Sequence, residues 1–408
     1  MRAISTALIA CVLGCVMCVP AAKAQTETVL YSFCSRQNCT DGQDPAAGVI
    51  KERGKLYGTT SGGGANGDDG AVFSLDPKTG AESVRHSFGS GRDGLGPSAG
   101  LIRIKGTLYG TTVSGGRNYP EGTVFSLSPE TGAETVLHSF AGGSSDGNWP
   151  EAGLVNVKGT LYGTTQNGGS GRCADNEGCG TVFAINPQTG AETVVYSLQG
   201  NGRDGALPRA GLIRIKDMLY GTTFTGGGGS CYSDGGCGTV FSLDLKTGAE
   251  TVVYYFCART SCTDGAEPSA GLIDVNGILY GTTYGGGTGT CYGGCGTVFS
   301  IDPANNFEAV LHSFRNNGAD GNFPEAALID VGGTLYGTTA AGGARGGYGT
   351  VFAIAPRTGA ETVLHSFPDN GPDGNTPIAG LLDVNGTLYG TTVWGGAHGD
   401  GTVFAITP

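Results

Sequence analysis

The chain has 408 residues, a formal net charge of −12 and 78 glycines. An acidic chain without a basic block repels phosphate groups, which argues against nucleic acid or an anionic membrane as a partner. The glycines recur beside runs of Val, Ile, Phe and Tyr, so they indicate turns and close packing rather than disorder or a collagen-like chain.

The N-terminus has the features of a secretory leader. Arg2 precedes an apolar run, Ile4 to Val19, and the small-residue site Ala22-Lys23-Ala24. We expect removal of residues 1–24, and loss of the leader's two positive charges leaves −14 on the mature chain. The apolar run is too short to predict a membrane span, and none is expected in the mature chain. A lipoprotein anchor is the alternative, because Leu8-Ile9-Ala10-Cys11 resembles a processing box.

A repeated unit of about 55 residues fills the rest of the chain. The sequence LYGTT occurs seven times, 52 to 60 residues apart, beginning at Leu56, Leu108, Leu161, Leu219, Leu279, Leu335 and Leu388. An Asp-Gly loop, a proline and AGLI precede each copy, and a glycine-rich stretch, GTVF and ETVLHSF follow it, with small variations. We therefore interpret residues 25–408 as one domain.

Four strands are predicted in each unit. In the second unit they are Ala99 to Ile104, Thr107 to Thr112, Gly122 to Ser128 and Glu134 to Phe140. Lys105-Gly106 between the first two is a two-residue hairpin signal. No segment has a helical period, and the strands are apolar on both faces, which is typical of small sheets packed between neighbours.

The two ends of the chain complement each other. Glu27 to Phe33 is a lone copy of the last strand of the unit, whereas the chain ends at Gly401 to Pro408, one strand short of a full unit. The fold class predicted is therefore all-β, a seven-bladed β-propeller whose N-terminal strand completes the last blade. AGLI then forms the inner strand and ETVLHSF the outer one. A right-handed β-helix is the structural alternative.

The long, variable connections all fall on one predicted face, and the cysteines lie in them. Three of the thirteen cysteines belong to the leader, and the other ten form five local pairs, which indicate disulfides in an exported protein. The pairs are Cys34–Cys39, Cys173–Cys179, Cys231–Cys237, Cys257–Cys262 and Cys291–Cys295. Their spacings do not follow a zinc pattern, and we expect no metal and no cofactor.

Two polar positions recur in every unit. One is the aspartate of the Asp-Gly loop, at Asp41, Asp93, Asp146, Asp204, Asp264, Asp320 and Asp373. It fits an Asx turn better than a calcium site, because only one carboxylate is supplied per copy. The other is His86, His138, His312 and His365, or Tyr31, Tyr196 and Tyr254. Exchange of His for Tyr indicates packing or hydrogen bonding, so no catalytic residue is assigned.

The residue before each loop proline varies from unit to unit and lies where the chain enters the inner strand. Aromatic and acidic residues at this position and in the other loops predict a rim that suits sugars or peptides. The candidate ligand-binding residues are Trp149, Phe323, Trp394, Tyr119, Tyr232, Tyr292, Tyr348, Asp68, Asp175, Asp234, His398 and Asp400.

Two family resemblances follow from these motifs. The run Gly122 to Phe140 looks like the blade motif of PQQ-type propellers, although His138 stands where that family has a docking tryptophan. Residues 27–408 more closely resemble the GloVer (Gloeo/Verruco-type) tandem repeat of exported bacterial proteins. That resemblance implies a secreted or cell-surface setting in the bacterial envelope and brings no catalytic residues.

Our functional hypothesis is a secreted or cell-surface binding module, monomeric, whose ligand is a carbohydrate or a surface protein. Disulfide-tied loops favour binding because they are already ordered. An enzyme of the polysaccharide lyase or hydrolase type, working at the mouth of the central channel, is the alternative and needs two converging carboxylates or a base with a cation. A scaffold for envelope assembly is a third possibility.

Overall fold

A computed structural model shows an all-β ring of seven four-stranded antiparallel blades, which confirms the predicted β-propeller. It describes residues 27–117, 121–173, 177–202, 204–229, 231, 235–344, 347–369 and 371–408. In the described part of the chain, no helix has the length and apolar character needed to cross a membrane.

The strands follow the repeat. The N-terminal strand and blades 1 to 3 comprise β1 Glu27–Ser32, β2 Ile50–Glu52, β3 Lys55–Thr60, β4 Ala71–Leu75, β5 Glu82–Ser87, β6 Gly94–Leu95, β7 Ile102–Ile104, β8 Thr107–Thr112, β9 Ser114–Gly115, β10 Thr123–Leu127, β11 Glu134–Ser139, β12 Gly147–Asn148, β13 Val155–Val157, β14 Thr160–Thr165, β15 Asn167–Gly168, β16 Thr181–Ile185 and β17 Glu192–Ser197.

Blades 4 to 7 comprise β18 Gly205–Ala206, β19 Ile213–Ile215, β20 Met218–Thr223, β21 Thr225–Gly226, β22 Thr239–Asp244, β23 Glu250–Tyr255, β24 Ile273–Val275, β25 Ile278–Thr283, β26 Thr297–Asp302, β27 Phe307–Ser313, β28 Gly321–Asn322, β29 Ile329–Val331, β30 Thr334–Thr339, β31 Ala341–Gly342, β32 Thr350–Ala355, β33 Ala360–Ser366, β34 Leu382–Val384, β35 Thr387–Thr392 and β36 Thr402–Ile406. Three-residue 3₁₀ helices occur at Gln37–Cys39, Gly143–Ser145 and Thr260–Cys262.

The ring closes through the first strand. β1 pairs antiparallel with β36 as the outer strand of blade 7. The Phe33 N–H donates to the Gly401 carbonyl at 3.0 Å, and the Thr391 hydroxyl donates to the Ala47 carbonyl at 3.1 Å, which joins blade 7 to blade 1. Closure of this kind excludes the open β-helix.

The predicted first strand was too long. Its ladder in blade 2 is Ile102–Ile104 rather than Ala99 to Ile104, because the Ala-Gly pair at its start lines the central axis instead of pairing with the second strand. The other three strands agree with the prediction within one residue at each end. Two-residue ribbons on the loop face, such as β6 with β9, were not predicted.

Residues of the LYGTT motif make contacts within each blade and between neighbouring blades. In blade 2 a Cβ atom on Gly110 would lie 2.6 Å from Cζ of Phe125, so only glycine leaves room for the buried phenyl ring. The Thr111 hydroxyl donates to the Ala152 carbonyl of blade 3 at 3.1 Å, and all seven blades make the equivalent bond. The hydroxyl of Thr112 lies 2.8 Å from that of Thr123 on the neighbouring strand.

We expect Gly110→Ala to destabilise the fold by about 1–3 kcal/mol, because the methyl group forces the fully buried Phe125 ring to move. Chemical denaturation measures the loss. Gly228→Ala is the matched control, since no atom lies within 4 Å of the added carbon. Equal effects of the two substitutions would contradict the packing role assigned to Gly110.

Small residues surround the axis. A Cβ atom on Gly48 would lie 2.5 Å from the Gly380 carbonyl oxygen, and one on Gly271 would lie 3.5 Å from the Gly211 carbonyl oxygen. Ala327 is the sole member of this ring with a side chain. The blades therefore approach closely at the axis. The channel widens toward the residues that lie two positions earlier in the chain, such as Ala46 and Ser269.

Candidate functional site

The residue before each loop proline adopts the left-handed backbone conformation. Its φ lies between 55° and 63° at Asp44, Gly96, Trp149, Leu207, Glu267, Phe323 and Thr376. For a residue with a side chain this conformation costs on the order of 1 kcal/mol. Backbone bonds hold it, as when Phe323 N–H donates to the Cys295 carbonyl of the preceding blade at 2.9 Å. The position thus fixes one side chain at each blade junction.

The residue after each loop proline lines a cavity of about 170 Å³ at the channel mouth. These seven residues are Ala46, Ser98, Glu151, Arg209, Ser269, Glu325 and Ile378. The hydroxyls of Ser98 and Ser269 and the Nε atom of Arg209 are buried and have no hydrogen-bond partner among the described residues. Buried polar atoms are usually bonded in native proteins, so three such atoms in one cavity mark a place for a polar ligand or ordered water.

Arg209 is the cation of this cavity. Its guanidinium carbon lies 3.8 Å from the centroid of the Phe224 ring, a cation–π contact. Burial raises the pKa of Glu151 and of Glu325, and the positive charge of Arg209 opposes both shifts. Glu267 responds in the same way. Blades 3 to 6 therefore place three partly buried acids in the field of one arginine.

Beside this group the Tyr284 and Phe323 rings are stacked, with centroids 4.8 Å apart and planes at 23°. Burial raises the pKa of Tyr284, the charges of Glu325 and Glu267 raise it further, and Arg209 lowers it. The stacked pair therefore belongs to the same cluster, which we call the mouth cluster: Glu151, Arg209, Phe224, Glu267, Tyr284, Phe323 and Glu325.

Six members of the mouth cluster were not among the predicted site residues. Glu267 occupies the variable position before the loop proline, which was singled out in the sequence, but the other five occupy positions that were not. Phe224 and Tyr284 occupy the variable position after LYGTT, while Glu151, Arg209 and Glu325 occupy the one after the loop proline. Variation at these two positions inside an otherwise repeated segment is the signal that could have found them. Phe323 is the predicted rim residue that lies in the cluster.

The opposite side of the mouth carries acids. Burial raises the pKa of Asp44 to about 6, with further contributions from Asp400 and Asp68. Asp68 also accepts a hydrogen bond from the Gly63 N–H at 2.6 Å, so it holds its own loop. Two predicted acids, Asp68 and Asp400, thus lie near the mouth but on the side of blades 7 and 1.

The remaining predicted residues are dispersed. Trp149 is 38% exposed at its blade junction, Trp394 is 49% exposed in a ribbon of blade 7, and Tyr292 is 87% exposed. Tyr348 hydrogen-bonds to Asp369, whose charge raises the pKa of the Tyr348 hydroxyl. His398 is exposed. Four predicted residues lie outside the described part of the chain: Tyr119, Asp175, Tyr232 and Asp234.

Three of the five disulfides border a groove beside the mouth cluster. The structure contains all five local pairs. Cys231, Cys262 and Cys291, one from each of three disulfides, line a groove of about 760 Å³ that also reaches Glu267. The tied loops of blades 4 and 5 therefore extend the mouth outward as one continuous surface.

The sequence matches the Gloeobacter/Verrucomicrobia repeat over residues 19–235 and 230–408. The chain belongs to this repeat family. Among curated proteins, none matches the sequence. The protein is thus a Gloeobacter/Verrucomicrobia repeat propeller with five disulfides.

Solved structures with the same fold are distant in sequence. The extracellular domain of a hybrid two-component system from B. thetaiotaomicron has a TM-score of 0.58 and 11% identity over 94% of this chain, which spans 39% of that chain. PorZ, a surface component of the type-IX secretion system of Porphyromonas gingivalis, has a TM-score of 0.53 and 15% sequence identity, and the match covers 88% of this chain and 46% of PorZ. An oligogalacturonate lyase in complex with manganese has a TM-score of 0.52 and 12% sequence identity, and the match covers 94% of this chain and 96% of the lyase. At such identities the likeness establishes the fold alone.

The Gloeobacter/Verrucomicrobia repeat also builds a polar cluster at the outer edge of each blade junction, which we call a rim seam. Each joins the repeated His or Tyr, the Asp of the following Asp-Gly, and the first Glu of the next outer strand. The seams are His86–Asp93–Glu134, His138–Asp146–Glu192, Tyr196–Asp204–Glu250, Tyr254–Asp264–Glu308, His312–Asp320–Glu361, His365–Asp373–Glu27 and Tyr31–Asp41–Glu82.

In the first seam, Nε2 of His86 lies 2.8 Å from Oδ2 of Asp93, whose Oδ1 accepts from the Gly94 N–H at 2.8 Å. A β-bulge just before His86 turns its ring toward the aspartate. Burial raises the pKa of Glu134 to about 7; Asp93 adds to the shift and His86 opposes it. The Asp-Gly and His/Tyr positions therefore cooperate at the seams.

Proposed function

We propose that this propeller binds a saccharide at the channel mouth and in the adjoining disulfide-lined groove, outside the cell or at its surface. The observation that carries the proposal is the meeting of unpartnered buried polar atoms with stacked aromatic rings. The Nε atom of Arg209 and the hydroxyls of Ser98 and Ser269 lack partners among the described residues, and the Tyr284–Phe323 pair lies beside Arg209.

A sugar offers what these groups lack. Its hydroxyls both donate and accept hydrogen bonds, so one ligand can satisfy serine hydroxyls, carboxyl groups and a guanidinium together. Its C–H faces pack against aromatic rings, which supply contact area with little loss of side-chain entropy. A flat protein surface would be poorly suited to a recessed cavity that is lined at its base by small residues.

The proposal also rests on the rigidity of the loop face. Disulfides form and persist in oxidising compartments, which is consistent with the leader predicted for residues 1–24. Loops that are already ordered lose less conformational entropy when a ligand binds. The tied loops of blades 4 and 5 are therefore the part of the face best prepared for binding.

Phe323→Ala should weaken saccharide binding about tenfold, because it removes one ring of the stacked pair and exposes the other. A glycan array with the purified protein identifies ligands, and calorimetry compares affinities. Phe307→Ala is the matched control, since Phe307 is 66% exposed on the outer strand of blade 5. Undiminished affinity in both Phe323→Ala and Trp149→Ala would contradict the aromatic role.

An enzyme remains the second candidate, because Glu151 and Glu325 come from non-adjacent blades and line one cavity. Both have a raised pKa, as a general acid requires. Among the described residues, however, the pKa of Glu151 responds to Arg209 and not to Glu325, so the two acids do not act as a close pair. Release of new sugar ends from array ligands, abolished by Glu325→Gln, would favour catalysis; a stable protein partner in a pull-down would favour a scaffold.

A further inference from the structure

We propose that the four rim seams built around histidine bind divalent transition-metal ions, each through one imidazole nitrogen and two carboxylates. In three of them, His86–Asp93–Glu134, His138–Asp146–Glu192 and His365–Asp373–Glu27, the ligand atoms lie within 4.8 Å of one another. The fourth has the same residue types, with Nε2 of His312 at 3.2 Å from Oδ2 of Asp320. This departs from the absence of metal expected from the sequence.

The second seam is the clearest case, because in the other three the histidine Nε2 lies 2.8, 3.2 and 3.0 Å from the aspartate oxygen, a hydrogen bond that an ion would have to replace. Nε2 of His138 lies 3.4 Å from Oδ2 of Asp146. Ligand atoms bound tetrahedrally at zinc distances stand about 3.3 Å apart, so this separation suits an ion between them. Nε2 of His138 and Oε1 of Glu192 are both buried and have no hydrogen-bond partner among the described residues. Within the described part of the chain the glutamate oxygen is unpartnered in all seven seams, so the feature particular to this seam is the unpartnered Nε2 of His138, which a cation shared with Asp146 and Glu192 would satisfy.

The seam is held in place before any ion arrives. The Ala141 and Gly147 N–H groups donate to Oδ2 and Oδ1 of Asp146 at 2.8 and 2.7 Å. A bulge just before His138 orients the ring. Glu192 begins the outer strand of the next blade, so an ion would link blade 2 to blade 3. The side chains of His138 and Asp146 are 20% and 14% exposed, which leaves a path from solvent.

Tyrosine seams show that a cation is accommodated at this place. In two of them an arginine contacts the glutamate: Nη2 of Arg36 lies 2.6 Å from Oε2 of Glu82, and Nη2 of Arg259 lies 2.6 Å from Oε2 of Glu308. Tyrosine offers no imidazole nitrogen to a metal. A positive charge is therefore supplied by arginine in those seams, and we assign the metal to the seams that have histidine.

The donor set points to a zinc-like ion. Imidazole nitrogen suits zinc and its neighbours, and three protein ligands leave one position for water. Calcium would require six or more oxygens, which the seam does not offer. The cavity beside the first seam, about 670 Å³, is also lined by Arg92 and Arg117. The test therefore centres on the second seam, with Zn²⁺ as the probe.

The repeat supplies its own substitution. His138→Tyr removes the metal ligand but keeps a donor to the aspartate, as Tyr196 OH does toward Asp204 at 3.0 Å. Purified protein is stripped with chelator, dialysed against Zn²⁺ at neutral pH and analysed for bound metal and thermal midpoint. We expect about four ions per chain and a higher midpoint with Zn²⁺. His138→Tyr and Glu192→Gln should each lose one ion, and replacement of all four seam histidines by tyrosine should lose all four.

His398→Tyr is the control, because His398 is exposed and outside the seams; its stoichiometry should stay at the wild-type value. Circular dichroism verifies that each variant is folded, and Glu192→Gln provides the answer if His138→Tyr is not. The proposal is overturned if the stripped wild type takes up no Zn²⁺, or if both seam variants bind as many ions as the wild type.

Discussion

A chain shortened to begin after Phe33 should fail to form a closed ring and should lose cooperative unfolding. The shortened chain lacks β1, so β36 loses the hydrogen bonds of five residue pairs and becomes an exposed edge. It also lacks Phe33, which is fully buried and packs edge-on against Phe73 of blade 1 with centroids 5.0 Å apart. Loss of a buried phenylalanine alone costs about 3–5 kcal/mol.

Thermal and denaturant unfolding, followed by circular dichroism, measure the effect. Phe33→Ala removes the buried ring but keeps strand β1, so it separates the contribution of packing from that of strand pairing. This variant should keep a closed ring and have a thermal midpoint several degrees below that of the wild type. Phe307→Ala, on a 66% exposed side chain, is the control for loss of a phenyl ring. A synthetic peptide with the sequence of residues 27–33, added to the shortened chain, should restore part of the stability because it supplies the missing strand.

The outcome that would sink ring closure is a shortened chain with unchanged cooperativity and midpoint. That result would also contradict the assignment of all long loops to one face, since the hydrogen bond from the Phe33 N–H to the Gly401 carbonyl joins the first and last loops of that face. The mouth cluster would be less affected, because its residues come from blades 3 to 6.

Most of the fold was predictable because the same packing requirements act on the same positions in all seven repeats. The Gly110 position must be glycine beside Phe125, and the Thr111 position must reach the next blade, so LYGTT recurs wherever a blade meets its neighbour. Strand order followed from the displaced copy at Glu27 to Phe33. The shortened inner strand was not predictable, because whether Ala99 pairs or lines the axis depends on the distance between blades.

The site was less predictable, since its members become neighbours only through the ring. Phe323 was found because it occupies a variable position, but its partner Tyr284 comes from blade 5 and is 39 residues earlier in the chain. The left-handed backbone conformation at Trp149 and Phe323 was not predictable, because bulky residues with a side chain rarely adopt a positive φ. Arg209 was not predicted, because its contact with Phe224 of the same blade and the burial of its Nε atom depend on the folded loop.

Arg209→Met should leave stability at pH 5 near the wild-type value and lower it by about 1–2 kcal/mol at pH 8. Burial raises the pKa of Glu151 and Glu325 in the folded state, and Arg209 opposes this rise. Without the arginine both values rise further. A carboxyl whose folded pKa is raised favours folding below its unfolded pKa, and this contribution is lost as the pH rises through the folded pKa. Methionine keeps an unbranched apolar chain over Phe224.

Denaturant unfolding at pH 5 and pH 8 measures the difference in the free energy of unfolding. Saccharide affinity of the Arg209→Met variant should also fall, because the site loses a charged hydrogen-bond donor. Adding Glu151→Gln, Glu267→Gln and Glu325→Gln to the Arg209→Met variant should restore the stability lost at pH 8, since no carboxylate of the mouth cluster is then left without its cation. Arg214→Met, an exposed change on the neighbouring strand, should show no such pH dependence. An equal loss at pH 5 and pH 8 would mean that Arg209 acts through its packing on Phe224, and the electrostatic account of the mouth cluster would then fail.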